Sequence, residues 1–357
     1  MTYWYPGVVE MISLLKSHFP NTPVFLGGIY ATLFPDHARK MSGADAIVTG
    51  EGEKQGLQIA DEVTGHHSDI ERYKNLNDYP APAYHLYGRL DSAALLTSRG
   101  CPYRCPFCAS HNLSGKYRRR HPLPVVNEIE SIHRKKNVRN FAFYDDALLL
   151  KKEEHLVPIL EEVIKRKIQV RFHTPNGIQP REIDEVLARL MAKAGFKTIR
   201  LSYESRNKNR QRSMGSKVED EDLIKAVRIL TEVGFNQQEL GSYVIMGLPG
   251  QEVEEVIDSM MFVLGLGIKV SLASFSPIPG TPYWQEIVKS GAFPSNGDPL
   301  LTNNSIFPLQ SANFDYNTFL KLGTLSGTAN RILNQNGDPL VNPAFVNPLK
   351  HLLKNNR

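Results

Sequence analysis

Three cysteines lie close together at Cys101, Cys105 and Cys108, and the chain contains no others. Thiolates at this spacing can hold three of the four irons of a [4Fe–4S] cluster. The fourth iron is then free of protein ligands, so it can bind a small molecule and pass it an electron. A cluster with four cysteines usually only relays electrons. The spacing therefore indicates chemistry at a metal centre.

Two alternatives compete with the cluster. His111 lies three residues after Cys108, which gives the three cysteines and one histidine of a structural zinc site. Unliganded buried thiols are the second alternative, but the concentration of the cysteines around Pro102 and Pro106 argues against it. The odd number of cysteines, the chain length and the lack of a recognisable signal peptide disfavour a disulfide framework. The local spacing favours the cluster and leaves zinc open.

The cysteine loop follows a predicted strand. Residues 93–98 form a short, mainly apolar run that is followed by Arg99 and Gly100, as expected of a buried strand that ends in a turn. Downstream, apolar runs alternate with amphipathic stretches, which predicts a parallel sheet, open or closed into a barrel. The predicted strands are 141–144, 169–173, 198–203, 242–246 and 270–275, and the predicted helices are 125–135, 153–167, 181–194, 220–233, 252–264 and 316–332.

Polar residues recur at the ends of the predicted strands. In a parallel barrel these ends share one rim, which is where such folds place their chemistry. Single members have simpler explanations: Asp145 and Asp146 could cap a helix, and Glu204 could pair with Arg206. The recurrence favours a common site. The segments concerned are 101–108, Asp145 and Asp146, 173–176, Ser202 and Glu204, and 247–250.

Composition describes an ordinary globular protein. The 357 residues are 41% hydrophobic and 22% charged, with a net charge of +5. The apolar run 260–268 is too short to span a bilayer, and reduced cysteines indicate a cytoplasmic setting. The basic stretches, including the tail 350–357, are expected to be solvated surfaces, so nucleic acid is not an expected partner. Oligomeric state is not predicted.

Several motifs resemble the radical S-adenosylmethionine (radical SAM) superfamily. More narrowly, they are similar to its branch with an N-terminal cobalamin-binding domain. The resemblance covers about residues 1 to 285, and the cysteine motif in its strand-loop context is the most specific part. The matching segments are Thr97-Ser98-Arg99-Gly100 before the cysteines, Tyr203-Glu204-Ser205, Ile245-Met246-Gly247-Leu248-Pro249-Gly250 and Pro277-Ile278-Pro279-Gly280-Thr281-Pro282.

The resemblance implies cofactors, partners and site residues. Cys101, Cys105 and Cys108 would hold a [4Fe–4S] cluster whose open iron binds S-adenosylmethionine, and reductive cleavage would give a 5′-deoxyadenosyl radical. The substrate would be a small or lipid-like molecule, and flavodoxin or ferredoxin would supply electrons. Iron–sulfur electron transfer and zinc-stabilised binding are the alternative functions. The implied cofactor contacts are Asp145 and Asp146 for the amino group, Glu204 or Ser202 for the ribose, and the backbone near Phe107 and near Met246 and Gly247 for the adenine.

The N-terminal stretch resembles only the later part of a cobalamin-binding domain. The expected domains are a Rossmann-like half (1–65), a linker (66–92), a partial (β/α)6 TIM-like barrel (93–285) and a substrate-side extension (286–357). The earlier strands and a histidine motif for cobalt are absent from this sequence, which counts against cobalamin binding by this chain. With two strands, the half domain is expected to dock on the barrel, dimerise or pair with a separate chain.

Overall fold

The computed structural model describes residues 2–215 and 217–355. Within these residues no helix has both the length and the apolar character needed to cross a bilayer. The strands are β1 (Phe25–Leu26), β2 (Ala46–Ile47), β3 (Ser92–Leu95), β4 (Ser98–Arg99), β5 (Arg118–Arg119), β6 (Asn140–Phe143), β7 (Arg171–Ile178), β8 (Phe196–Glu204), β9 (Leu240–Met246) and β10 (Lys269–Ser274). The helices are α1 (Tyr5–His18), α2 (Gly28–Leu33), α3 (Pro35–Met41), α4 (Gly52–Thr64), α5 (Ser110–Ser114), α6 (Pro122–Lys136), α7 (Leu156–Lys165), α8 (Glu185–Ala194), α9 (Lys208–Ser213), α10 (Asp220–Glu232), α11 (Val253–Gly265), α12 (Pro282–Lys289), α13 (Tyr316–Asn334) and α14 (Pro343–Asn355).

The main sheet has six strands in the order β10-β9-β8-β7-β6-β3. All of its neighbouring strands are parallel, and helices connect successive strands as parallel pairing requires. One face buries large apolar side chains against these helices, including Phe141, Phe172 and Ile199. The predicted α/β fold with a parallel, TIM-like sheet is therefore confirmed.

At one residue on each edge strand of this sheet, a side chain occupies the backbone hydrogen-bonding groups. On β3, the hydroxyl of Tyr84 accepts from Ala94 N at 3.0 Å and donates to Ala94 O at 2.8 Å. On β10, Asn330 on α13 accepts from Val270 N at 3.0 Å and donates to Val270 O at 2.7 Å. Satisfied edges do not recruit further strands. The described sheet therefore ends at six strands, with β3 and β10 as its edges.

Strand β7 is longer than predicted. The sequence suggested a strand ending near His173, with polar residues following it, but β7 continues to Ile178. Its pairing with β8 shifts register between Thr174 and Ile178, because Pro175 has no N–H to donate and Gly177 has a φ of +78°. Residues 174–176 therefore lie in an irregular part of the strand, and the prediction that they follow it was wrong.

The N-terminal segment forms a small unit in which β1 and β2 pair in parallel. It contacts the C-terminal extension: Tyr5 donates to Asp298 at 2.9 Å, and the Thr2 and Thr302 hydroxyls are 3.0 Å apart. Of the arrangements expected for a two-strand remnant, the structure therefore has docking on the rest of the chain. The predicted domain boundaries stay a prediction.

The C-terminal end differs from the expected solvated tail. Helix α14 covers residues 343–355, and Phe345, Leu349 and Leu352 are buried in the main core. The apolar spacing of 345, 349 and 352 places these side chains on one helical face. Within the predicted tail, Leu352 is buried, which was not expected, whereas the basic residues Lys350 and Lys354 are exposed as expected. Asn356 and Arg357 lie outside the described residues.

Candidate metal and cofactor site

The cysteine loop begins at Gly100, which has a φ of +79°. A Cβ at this position would lie 2.8 Å from Lys116 O and 2.9 Å from Gly115 O, so the backbone leaves no room for a side chain. On either side of the loop, β4 and β5 pair antiparallel, with Ser98 opposite Arg119. The loop is therefore closed at its base by a short hairpin that requires glycine.

Asp145 holds the base of the cysteine loop through hydrogen bonds. Its Oδ1 accepts hydrogen bonds from Thr97 N at 3.0 Å, Thr97 Oγ1 at 2.7 Å and Ser98 Oγ at 2.6 Å. The side chain is only 2% exposed, and burial raises the pKa of Asp145. Its carboxylate is enclosed under the loop, and its hydrogen bonds give it a role in positioning the loop. The expected cofactor contact of Asp145 stays a prediction.

The thiols lie in an apolar pocket and form no disulfide. Cys101 and Cys105 are buried, whereas Cys108 is partly exposed and its Sγ is 3.2 Å from Ser110 Oγ. Cys105 packs with Ile245 and Tyr283. Burial raises the pKa of Cys105 to about 11 and also raises that of Cys101. Thiols in this setting need a nearby cation or a metal before they carry negative charge.

Lys217 supplies that cation. Its side chain is 11% exposed, and its Nζ lies 3.5 Å from Glu204 Oε1. Burial alone would lower the pKa of Lys217, but Glu204 and all three cysteines raise it. Lys217 in turn lowers the pKa of Cys101 and Cys105. The sequence analysis did not single out Lys217. In the sequence, Lys217 follows the basic run 206–212 and belongs to no motif, and only the fold brings it to the cysteines.

Glu204 ends β8 in a strained conformation. Its φ is +74°, which is unusual for a residue other than glycine, and the pairing with β9 shifts register between Ser202 and Glu204. The bulge turns the Glu204 side chain toward the rim, where burial raises its pKa and Lys217 opposes that rise. Arg206 is not its partner, contrary to one alternative from the sequence.

Arg206 points to the opposite side of the sheet. It donates to Asp258 at 2.9 Å, and its guanidinium carbon lies 4.8 Å from the centre of the Phe262 ring. Both partners belong to helix α11. Arg206 therefore neither reshapes the rim cavity nor pairs with Glu204.

A cavity of about 350 Å³ opens at the rim beside the cysteines. Of the predicted cofactor contacts, Phe107 and Glu204 line it. Ser202 does not line it: the residue is 6% exposed and lies against Gly177. The other walls are Pro175, Asn176, Tyr243, Ile245, Ala273, Ser274, Phe275, Ser276 and Ile278.

Met246 and Gly247 also lie outside this cavity. The Met246 side chain belongs to the core between sheet and helices, and its carbonyl accepts from Phe275 N at 2.9 Å. Gly247 N donates to Gln251 Oε1 at 2.7 Å, and a Cβ on Gly247 would lie 2.5 Å from Phe307. Neighbouring Ile245 faces the cavity, and the expected contacts of the Met246 and Gly247 backbone with adenine stay a prediction.

Asp146 lies at a second cavity, of about 550 Å³, between the N-terminal unit and the cysteine loop. It accepts hydrogen bonds from Ser110 and from the backbone of Gly100, and its charge acts on Cys101. Glu51 and Glu53 line the same cavity. Arg99 pairs with both, and Arg118 pairs with Glu51, so these ion pairs join the N-terminal unit to the hairpin.

Residues 95–263 match the family model described as the radical SAM superfamily. This segment is a radical SAM domain. The matched segment contains the cysteine loop, Glu204 and Lys217. The cofactors of radical SAM proteins are a [4Fe–4S] cluster and S-adenosylmethionine, so the cofactors expected from the sequence are confirmed at the level of the family.

Similar proteins include radical SAM methyltransferases. An uncharacterized methyltransferase of Pyrococcus horikoshii is 25% identical over 301 residues, which are 76% of this chain and 64% of the relative. The solved structure of TsrM from Kitasatospora setae, with tryptophan and aza-SAM bound, has a TM-score of 0.68 at 20% identity and covers 81% of this chain and 62% of TsrM.

The cobalamin-dependent radical enzyme OxsB, solved with aqua-cobalamin and S-adenosylmethionine, has a TM-score of 0.64 at 15% identity. The match covers 91% of this chain and 61% of OxsB. These two structural similarities show the fold. The chain spans less than two thirds of the length of each of the three proteins.

The radical SAM site fits a cluster better than a single metal ion. Among the described residues, no three histidine, cysteine or acidic side chains converge closely enough to hold one ion. Each thiolate of a [4Fe–4S] cluster binds its own iron, so the three thiols need not converge on a point. His111, the fourth ligand of the zinc alternative, instead bonds Tyr103 O through Nε2 at 3.1 Å. This geometry counts against zinc.

Proposed function

We propose that this chain is a radical SAM enzyme in which Cys101, Cys105 and Cys108 hold a [4Fe–4S] cluster that cleaves S-adenosylmethionine reductively. The observation that carries the proposal is the group of three free cysteines beside the buried Lys217–Glu204 pair, next to an open cavity. When bound, the cluster and S-adenosylmethionine supply an electron and a 5′-deoxyadenosyl radical. The protein's part is to bind, orient and shield them.

Individual residues suit these tasks. Lys217 offers a cation to the thiolates and to the carboxylate of the bound methionine portion. Glu204 offers acceptor oxygens to ribose hydroxyls or to an amino group at the wall of the rim cavity. Phe107 and Ile245 give the same cavity apolar walls that suit an adenine ring. Because these groups lie on strand ends or on a braced loop, the site is held in place by the sheet.

Asp146 stands apart from this cavity, on the side of the N-terminal unit. Its bond to the Gly100 backbone keeps the loop in position next to Cys101. We assign it to loop positioning, with its free acceptor capacity turned toward whatever occupies the junction cavity.

The proposal is tested by anaerobic reconstitution of the full chain with iron and sulfide. The expected product carries about four irons per chain, and its EPR spectrum after dithionite reduction changes when S-adenosylmethionine is added. Addition of both reagents is expected to release 5′-deoxyadenosine. A cluster whose EPR spectrum does not change when S-adenosylmethionine is added would support an electron-transfer function instead. A colourless protein that binds zinc stoichiometrically would support the zinc-stabilised alternative.

Methyl transfer with cobalamin is a second candidate, favoured by the junction cavity of about 550 Å³ beside the cysteine loop. Its walls include Gly28, Gly50 and Gly52, where backbone can approach a ligand closely. No histidine lines this described cavity, so the chain offers cobalt no imidazole there. The visible absorbance of hydroxocobalamin after gel filtration with the protein tests binding, and free elution of the corrinoid would reject this candidate for the chain alone.

A further inference from the structure

Among the described residues, the core side chains that pack against the connecting helices lie on one face of the main sheet, and we call the other face the open face. Strand residues alternate between the two faces, so the neighbours of core residues such as Ile199 and Leu201 point to the open face. Of these neighbours, Thr198 and Arg200 are partly accessible and Ser202 is buried, whereas Ile199 and Leu201 are fully buried. The open face is therefore a surface that a ligand can reach. It carries Asn140, His173, Thr198, Arg200, Tyr243 and Lys269.

Arg200 lies flat on this face. It is opposite Gly241 on β9, which in turn is opposite Lys269 on β10. An added Cβ on Gly241 would lie 3.1 Å from Arg200 Nη1 and 3.3 Å from Lys269 Cβ, so the guanidinium extends over the glycine toward the lysine stem. The glycine leaves the space that the guanidinium occupies. Two cationic side chains therefore lie in one row across three strands.

Neither cation has a carboxylate partner among the described residues. The guanidinium of Arg200 makes one hydrogen bond, to Ile199 O at 3.5 Å, and Lys269 Nζ donates to Gln238 O at 3.0 Å. Burial lowers the pKa of both side chains, and Arg200 lowers that of Lys269 further. Two neighbouring cations that are partly desolvated cost free energy unless an anion compensates them. The molecule keeps this pair without an internal anion.

The face contains one acidic residue among its described strand positions, Glu204, and Lys217 already pairs with it. Glu204 lies at the rim, four residues along β8 from Arg200. At about 3.3 Å per residue, the cationic row is roughly 13 Å below the rim. Tyr243 is between the two levels and lines the rim cavity. A molecule lying along the open face could therefore reach both the rim and the cations.

We infer that the substrate carries an acidic group, a carboxylate or a phosphate, which Arg200 binds on the open face with Lys269 as a second cation. This inference rests on the proposed radical SAM function, since it assigns the rim cavity to S-adenosylmethionine and the face below it to the substrate. The planar guanidinium can bind either acid through two parallel hydrogen bonds.

The test measures binding to the reconstituted full chain, with S-adenosylmethionine present and no reductant, so that no turnover occurs. Hexanoate, hexyl phosphate and neutral 1-hexanol are titrated by calorimetry at low ionic strength. One or both anions are expected to bind at least about tenfold more tightly than hexanol, as a charge-assisted contact requires. The anion that binds more tightly distinguishes a carboxylate from a phosphate substrate.

Variants locate the anion. R200M is expected to lose about tenfold or more of the affinity for the preferred anion, K269M to lose less, and R200K to fall between wild type and R200M. R206M is the matched control, because Arg206 is an exposed cation on the helix side of β8. It is expected to leave anion affinity unchanged.

Three results would overturn the inference: equal affinity for hexanol and both anions, no binding of any probe by the wild-type protein, or unchanged anion affinity in R200M. The EPR response to S-adenosylmethionine is recorded on the same samples. A normal response with no anion preference rejects the acidic substrate alone, whereas a missing response rejects the proposed function. If R200M does not fold, the affinity of R200K for the anion and the wild-type comparison of anions with hexanol test whether Arg200 binds an acidic group.

Discussion

Lys217 Nζ lies 3.5 Å from Glu204 Oε1, and each of these side chains is 11% exposed. The two residues are thirteen positions apart and meet only because a bulge turns Glu204 toward the cysteine loop. The pair brings one negative and one positive group to the thiols. Lys217 lowers the pKa of both Cys101 and Cys105, and a backbone hydrogen bond from Tyr103 also lowers that of Cys101, so both groups favour the thiolate against the effect of burial.

Replacing Lys217 with methionine is expected to destabilise the apo protein by about 3 kcal/mol, since it leaves Glu204 buried without its partner. Urea unfolding measures the loss. The control is K208M, because Lys208 is half exposed and its ion pair with Asp220 should contribute no more than about 1 kcal/mol. K217R, which keeps the charge, should recover part of the stability. Equal unfolding midpoints for K217M and K208M would contradict a structural ion pair at the rim.

Gly100→Ala is expected to open the base of the cysteine loop. The left-handed backbone alone costs about 1–2 kcal/mol, and the new methyl also collides with Lys116 O. The expected result is lower stability together with lost iron after reconstitution. Gly65→Ala has a similar positive φ in open space, so it should lose only the backbone contribution and should retain iron. Full iron content in Gly100→Ala would show that the hairpin tolerates the shift.

Cys105→Ala is expected to abolish reconstitution of the cluster, because two thiolates cannot hold three irons. Iron and sulfide analysis, with absorbance near 400 nm, provides the measurement. His111→Ala is the control, since His111 bonds Tyr103 O and not the thiols. It should keep its iron. A zinc site held by the three cysteines and His111 would lose its metal in both variants.

His155 predicts a pH dependence of stability. It is fully buried, with Nε2 2.8 Å from Thr97 Oγ1, and Arg119 and Arg120 add positive charge nearby, while buried Asp145 faces the same threonine. Burial lowers the pKa of His155 to about 4. The unfolded chain therefore binds a proton near pH 6.5 that the folded protein accepts only near pH 4. The resulting stability is complete above about pH 6.5 and is lost as the pH falls toward 4.

The contribution of His155 is about 3 kcal/mol over this interval. The free energy of unfolding of wild type and His155→Gln, measured from pH 4 to pH 8, isolates it, because Asp145 titrates in both proteins. The difference between the two proteins should shrink as the pH falls. A constant difference would mean that folding does not shift the pKa of His155.

The order of strands and helices could be predicted because apolar runs and amphipathic periods repeat along the chain. Strand β6 and helix α13 lie within two residues of their expected ends. The sequence predicts too early an end for strand β7, because Pro175 and Gly177 are turn signals. In the structure the strand continues past them with an irregular register. Tertiary pairing can override such local signals.

The candidate site was predictable where residue type fixes chemistry, as for the cysteines, and less so where orientation decides. Asp145 and Asp146 are adjacent in sequence, yet one carboxylate is enclosed beneath the loop and the other faces the junction cavity. Met246 and Ile245 divide in the same way between the core and the rim cavity. The alternation of side chains along a strand shows which residues share a face, but the sequence alone does not show which face is buried in the core.

The edge contacts of Tyr84 and Asn330 have a consequence for access. Each side chain donates one hydrogen bond to the edge strand and accepts one from it, as a residue of a neighbouring strand would. At these two positions no further strand can pair, and β3 and β10 are not paired with each other in the described sheet. Access to the open face is therefore not restricted by a closed ring of strands, so a substrate could approach it from the side as well as from the rim.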